Sequence, residues 1–221
     1  MKHAIKFNVS SENIRNFRIR AILDHVPPNS SVLDIGGARE LYNGESLHRK
    51  LAGKSKKCIG IDINQKTISE FPDYDIRHAN AETFDLDETF DVAVAGELIE
   101  HLDNPGLMLE RVHEHLVPGG KLILTTPYPW TFLRIRQAIT GQPFVVPDHV
   151  SWYCPKTIEH PLNRYEFDVV ETTFNKPRNI GVSWLFYKFG RYIGLQNLGS
   201  IGFLTVATKT TQDEETRTPP E

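Results

Sequence analysis

The sequence predicts an α/β fold with a doubly wound, mostly parallel sheet, and three stretches carry that prediction. VLDIGG, residues 32–37, is an apolar run that ends in a carboxylate and a glycine turn. GIDIN, residues 60–64, is a second short run with an acid at its end, Asp62. FDVAVAG, residues 90–96, is apolar throughout apart from Asp91, as a central parallel strand covered on both faces must be. Such runs alternating with helical patterns read as βαβ units.

Each element follows in order. Ser10 and Ser11 precede Glu12, and Ile14, Phe17, Ala21 and Val26 recur at near-helical spacing, which predicts a capped amphipathic helix ending before Pro27 and Pro28. The first strand is placed at 31–35. Asn43 and Gly44 delay or break the next helix, which is predicted over 47–52, and the second strand covers 58–61. Residues 65–90 are polar and short-patterned, with a brief third strand near Ile76 and an acidic turn over 82–88. The fourth strand takes 90–95. Asn104 then caps a helix with Pro105 at its first position, where a missing N–H costs nothing, and Leu109, Val112 and Leu116 line its inner side. Pro118, Gly119 and Gly120 stop it, and residues 121–126 form the fifth strand.

From 128 to 153 the periodicity dissolves into a stretch rich in aromatics, including Tyr128, Trp130, Phe132, Phe144, Trp152 and Tyr153. Its position after a strand's carboxyl end makes it a predicted lid. Residues 167–174 and 201–207 read as two closing strands, separated by a short aromatic helix over 181–194. The sequence thus reads as one domain over 1–209 and a disordered tail over 210–221.

Composition narrows the function classes. A chain of 221 residues, 39% of them hydrophobic, can bury one good core. A net charge of −3 gives no electrostatic reason to expect a nucleic-acid partner. Cys58 and Cys154 alone suggest neither a disulfide framework nor a zinc site. MKHAIKFN lacks the apolar run of a signal peptide, so a cytoplasmic location is expected. Trp184, Leu185, Phe186, Tyr187 and Phe189 form a stripe that reads as core or as a peripheral membrane contact. Nothing in the chain fixes an oligomeric state.

Two adjacent parallel strands bring their carboxyl ends side by side, so Gly36, Gly37 and Asp62 would face one crevice, where a nucleoside cofactor can lie. Glycine lets the backbone approach a ligand closely, and Asp62 can accept two hydrogen bonds from a vicinal diol. Alternatively, Asp62 caps the following helix. FDVAVAGELIEHL, residues 90–102, runs into NPGLMLERVHEHLVPGGKLILTTP, residues 104–127. With the first block, these motifs resemble the class I S-adenosylmethionine-dependent methyltransferases, in the type 11 branch that includes the ubiquinone-biosynthesis enzymes. The resemblance covers residues 32–127 and continues weakly through 149–171. It implies a seven-stranded Rossmann-like sheet with an antiparallel last strand, and S-adenosylmethionine as cofactor.

Carried over by position, the resemblance puts Asp34, Gly36 and Gly37 around the methionine end of the cofactor and Asp62 with Ile63 at the ribose. Asn80 and Ala81 fall where the adenine is met, and Gly96 near the ammonium and sulfonium. Ala38 and Glu40 depart from the family's later glycines, and Asn80 replaces its usual carboxylate. Pro161 and Glu166 break its helix-then-Gly-Phe pattern, so the carboxy-terminal third is expected to be rebuilt.

Glu97, Glu100 and His101 would share one face if helical. Similar E-x-x-E-H arrangements hold a divalent metal in some related enzymes and pack without one in many others, so no metal is expected, with these three as the candidates if one binds. His149 ends the aromatic segment where a base could reach a substrate, and His149 and His101 are the candidate catalytic residues. His113, His115 and His160 read as helix-surface residues. The reaction implied is in-line methyl transfer to O or N of a small-molecule or lipid-like acceptor, because the extra sequence is aromatic rather than basic. A catalytically silent cofactor-binding or partner-binding member is the alternative. A dinucleotide oxidoreductase is disfavoured by the absence of G-x-G-x-x-G.

Overall fold

A computed structural model describes residues 11–38, 46–141, 145–175 and 196–210, with no side-chain description for 11–17 and 196. In chain order the elements are α1 (Ser11–His25), β1 (Ser31–Ile35), α2 (Leu47–Lys54), β2 (Lys57–Asp62), α3 (Gln65–Ile68), β3 (Ile76–His78) and β4 (Phe90–Gly96). A single 3-10 turn (Ile99–His101) leads to α4 (Pro105–His115), β5 (Leu116–Pro127), α5 (Phe132–Ile139), α6 (Pro155–Arg164) and β6 (Phe167–Phe174). A second 3-10 turn (Gln196–Gly199) precedes β7 (Gly202–Lys209).

The strands form one seven-stranded sheet in the order β3-β2-β1-β4-β5-β7-β6. The first five are mutually parallel, and β7 inserts antiparallel between β5 and β6. The alternation of side chains along each strand sends one set to each face. Val32, Val92, Val94, Ile123, Leu204 and Val206 pack with Ile22 of α1, Val26 just past its end and Leu51 of α2. Leu33, Ile35, Ala93, Ala95, Leu122 and Leu124 pack with Leu109 and Val112 of α4 and Leu162 of α6. Burial on both faces is why the central strands read as unbroken apolar runs. Asp91, the polar exception in β4, sits at its start and accepts from Ser31 N–H at 2.7 Å and from the Ser31 hydroxyl at 2.8 Å.

Several expectations change. α4 ends at His115, and the next residue, Leu116, already pairs with Phe90, so β5 begins five residues earlier than predicted, bending at Gly119 with φ of 72°. Asn104 stands at the N-cap position of α4 without a side-chain cap; its backbone N–H donates to Glu82 instead, at 2.9 Å. His115 is buried rather than on the helix surface: it accepts from Leu86 N–H at 2.8 Å through Nε2 and donates to Arg111 O at 2.7 Å through Nδ1.

The patternless segment contains the helix α5, which Thr131 caps by accepting from Arg134 N–H at 3.2 Å. Near the carboxyl end, the helix-to-strand pattern is retained rather than rebuilt. α6 runs through Pro161, Glu166 adopts φ of 60° where a glycine would be at ease, and the buried Phe167 opens β6. Thr210 is tied in, donating from N–H to Glu166 O and from its hydroxyl to Asp168. Glu40, Phe144, the helix expected over 181–194 with its aromatic stripe, and the tail beyond 210 lie outside the described residues. Among the described residues, no helix is long and apolar enough to cross a membrane.

Candidate functional site

The chain passes from β1 to β2 on one side and returns to β4 on the other, so the strand order reverses beside β1, and a crevice opens at the strands' carboxyl ends. The turn after β1 forms one wall. Gly36 takes φ of 78°, and the N–H groups of Gly36 and Gly37 both donate to Ile61 O, at 2.8 and 3.1 Å. Gly37 is needed for space. A Cβ there would sit 2.8 Å from Asp34 Oδ2 and 3.2 Å from Asp34 O. Asp34 itself is only 2% exposed, and its Oδ2 lies 3.1 Å from Nδ1 of the fully buried His48. It props the turn from beneath rather than lining the crevice. His48 was not foreseen; its one signal is its spacing three residues before the buried Leu51 of α2.

Asp62, at the end of β2, staples two loops together. Its Oδ2 accepts from Ala38 N–H at 3.2 Å, and its Oδ1 accepts from Asn64 N–H at 2.9 Å. The cap of α3 is Asn64, which accepts from Lys66 and Thr67, so Asp62 is not itself the cap.

A cleft of about 280 Å³ lies against these groups and is lined by Gly36, Asp62, Ile63, Asn80, Ala81 and His101. Leu98, Leu102 and Asp103, which sequence reasoning missed, close its other side. Asn80 Oδ1 accepts from Glu82 N–H at 2.8 Å, which fixes the loop after β3, while Ala81 N–H has no partner among the described residues. Gly96 does not line the cleft. A Cβ on it would meet Leu47 and Ile22 on the α1–α2 face of the sheet.

After β4 the chain does not enter a helix directly. Glu97 adopts φ of 52° and its carboxylate pairs with Arg18 of α1, so it leaves Glu100 and His101. Glu100 is 1% exposed; one of its oxygens, Oε2, accepts from the Thr126 hydroxyl at 3.1 Å, and the other has no partner. Burial pushes its carboxyl up to about 7. The carbonyl of Glu100 accepts from Val150 N–H at 2.9 Å and from Ser151 N–H at 3.3 Å, and His101 Nδ1 donates to Asp148 O at 3.0 Å. These bonds strap residues 148–151 onto the turn and bring His149 to His101, with ring centroids 4.6 Å apart. Desolvation, with His101 and Arg134 nearby, pushes the His149 imidazole below its usual range.

The contacts continue outward. Trp152 lies edge-on to His149 with centroids 5.5 Å apart, and Arg134 stands over the Trp152 ring at 4.0 Å. Beyond them an open apolar groove of about 550 Å³ runs between α5 and the start of α6, walled by Trp130, Ile135, Ala138, Val145 and Trp152. Ile139, 81% exposed, stands at its rim. The candidate site therefore joins a cleft of mixed polar and apolar lining to an apolar groove through two histidines.

The family described as "Methyltransferase domain" matches residues 11–172. A probable S-adenosylmethionine-dependent methyltransferase from Mycolicibacterium smegmatis is 32% identical over 87 residues, which are 37% of this chain and 34% of that protein, so the match spans about a third of the relative. Among solved structures, a SAM-dependent methyltransferase from Archaeoglobus fulgidus superposes with a TM-score of 0.65 at 19% identity, covering 90% of this chain and 95% of the other. The N-methyltransferase NodS from Bradyrhizobium japonicum, solved with S-adenosyl-L-homocysteine, gives 0.53 at 14% identity over 90% and 85%. The structural likenesses speak to fold, and the sequence match speaks to descent: the chain belongs to the methyltransferase domain family.

Proposed function

We propose that this protein transfers a methyl group from S-adenosylmethionine to an oxygen or nitrogen of a small-molecule or lipid-like acceptor covered by residues 128–153. The observation that carries the proposal is the continuity from the cleft, through His101, His149 and Trp152, to the apolar groove. The cleft takes the adenosyl end, with Asp62 toward the ribose hydroxyls and Ala81 N–H toward the base. The groove takes the acceptor's apolar part.

Displacement at a sulfonium carbon needs little covalent help from the protein. Alignment and exclusion of water supply most of the rate, and effective concentration alone contributes about 7–11 kcal/mol. The histidine pair serves an acceptor hydroxyl or protonated amine. Because His101 Nδ1–H is donated to Asp148 O, its Nε2 presents a lone pair toward the junction of cleft and groove.

The test has two stages. Calorimetry with S-adenosylhomocysteine should show saturable binding, and a panel of hydroxylated and amino amphiphiles should then reveal turnover. His149→Ala should lower kcat by about 10²–10⁴ while leaving that binding unchanged. No binding, or turnover indifferent to His149, would sink the proposal.

A further inference from the structure

Glu97 is turned away from the turn that follows β4, yet a different third donor stands in its place. One ligand-capable atom from each of Glu100, His101 and His149 lies within 4.8 Å of the others. We infer that these three side chains form a divalent transition-metal site at the junction of the cleft and the groove. The inference deepens the reading above, since it gives the histidine pair a specific task toward the acceptor.

Four observations support it. Glu100 Oε1 is buried without a partner, a costly arrangement for a carboxylate unless a ligand completes it. His149 Nδ1 is likewise buried and unpartnered. His101 donates Nδ1–H to a backbone carbonyl, the outer contact that orients a metal-bound imidazole and presents Nε2. Thr126 fixes the other Glu100 oxygen, and the bonds from Val150 and Ser151 hold His149's segment against the Glu100 carbonyl, so the three donors are positioned before any ion arrives.

Donors on zinc stand about 2.0–2.2 Å from the ion and hence roughly 3–4 Å from one another, so closing this site takes side-chain shifts of about 1 Å or less. Two imidazoles and one carboxylate favour zinc, cobalt or iron over magnesium, and three protein ligands leave a position open. His101 also lines the cleft, so that position lies between cofactor and acceptor. A cation there would lower the pKa of an acceptor hydroxyl.

The test uses untagged full-length protein stripped with chelator and titrated separately with Zn²⁺ and Co²⁺. Calorimetry should give one ion per chain, and Co²⁺ should acquire the visible absorption of a mixed imidazole and carboxylate site. Glu100→Gln and His149→Ala should each weaken binding at least about ten-fold, whereas Glu97→Gln, which removes a nearby charge but no donor, should cost clearly less. Thr126→Val removes no donor and should keep the stoichiometry while loosening affinity by about 10–100-fold. A Glu100→Gln, His149→Ala double variant that binds either ion as tightly as the parent overturns the inference. So does equal loss in Glu97→Gln. Titration with S-adenosylhomocysteine, run on every variant, reads the cofactor cleft separately, so failure of the ion site is distinguishable from failure of the proposed methyl transfer.

Discussion

Gly37→Ala is the most direct probe of how the turn after β1 is built. A methyl at this position would sit 2.8 Å from Asp34 Oδ2 and 3.2 Å from Asp34 O, so either the carboxylate or the turn has to move. The carboxylate is badly placed to yield: it is buried and engaged with His48, itself closed in by Cys58 at 3.9 Å and the edge of Tyr74. Overpacking of this kind costs about 1–3 kcal/mol. For a domain of this size that corresponds to a fall of about 2–12 °C in Tm. If the turn yields instead, Gly36 is displaced from the cleft, and the same energy appears as S-adenosylhomocysteine binding weakened by about 5- to 150-fold. Differential scanning calorimetry and isothermal titration on one preparation divide the cost between the two. Gly53→Ala is the matched control, because it lies in α2 with nothing within 4 Å of the added methyl and should gain up to about 1 kcal/mol. A Gly37→Ala protein that melts and binds like the parent would refute the claim that a close approach to Asp34 shapes this turn.

Asp62→Ala removes the acceptor that joins Ala38 to Asn64, and it should weaken S-adenosylhomocysteine by about 2–3 kcal/mol, roughly 30- to 150-fold, in a calorimetric titration. Glu166→Gly relieves a left-handed backbone at the end of α6 and should raise Tm by about 2–4 °C, equivalent to about 1 kcal/mol. Asp91 is held below the usual carboxylate range chiefly by the Ser31 N–H and hydroxyl, so its contribution is present above the unfolded pKa of about 4 and is lost as pH falls through the depressed folded value. Melting curves of Asp91→Asn should therefore trail the parent by about 1 kcal/mol near neutrality, a figure discounted for the side chain's partial exposure, and converge with it in acid.

The strands were legible because the chemistry that makes them is local. Runs such as LILTT and VAVA must be apolar on both sides when helices cover both faces, and Asp62 was readable because it ends such a run. What escaped detection depends on distant partners. Nothing near His48 says that a carboxylate fourteen residues earlier will need it. Glu97, Glu100 and His101 read as one helical triad, but a positive φ at Glu97 and the reach of Arg18 from α1 divide them. His149 could be suspected from its place in the chain. Its approach to His101 is set by backbone bonds from Val150 and Ser151 to Glu100, which leave no trace in sequence spacing. Glu166 misled for the opposite reason: a non-glycine residue can occupy a left-handed turn at modest cost, so a missing glycine did not mean a missing turn.

The order β5-β7-β6 carries a consequence for how the protein is made. On a ribosome, β6 emerges with no strand to bond among the described residues, since its sheet partner is β7, and the outer rim of β5 awaits the same strand. Five strands can settle early while β6 waits, exposing unpaired amides of the kind that invite intermolecular pairing. Nascent chains arrested before residue 202 should therefore recruit chaperones and resist protease only through the β5 boundary, and release of residues 202–209 should complete protection in one step.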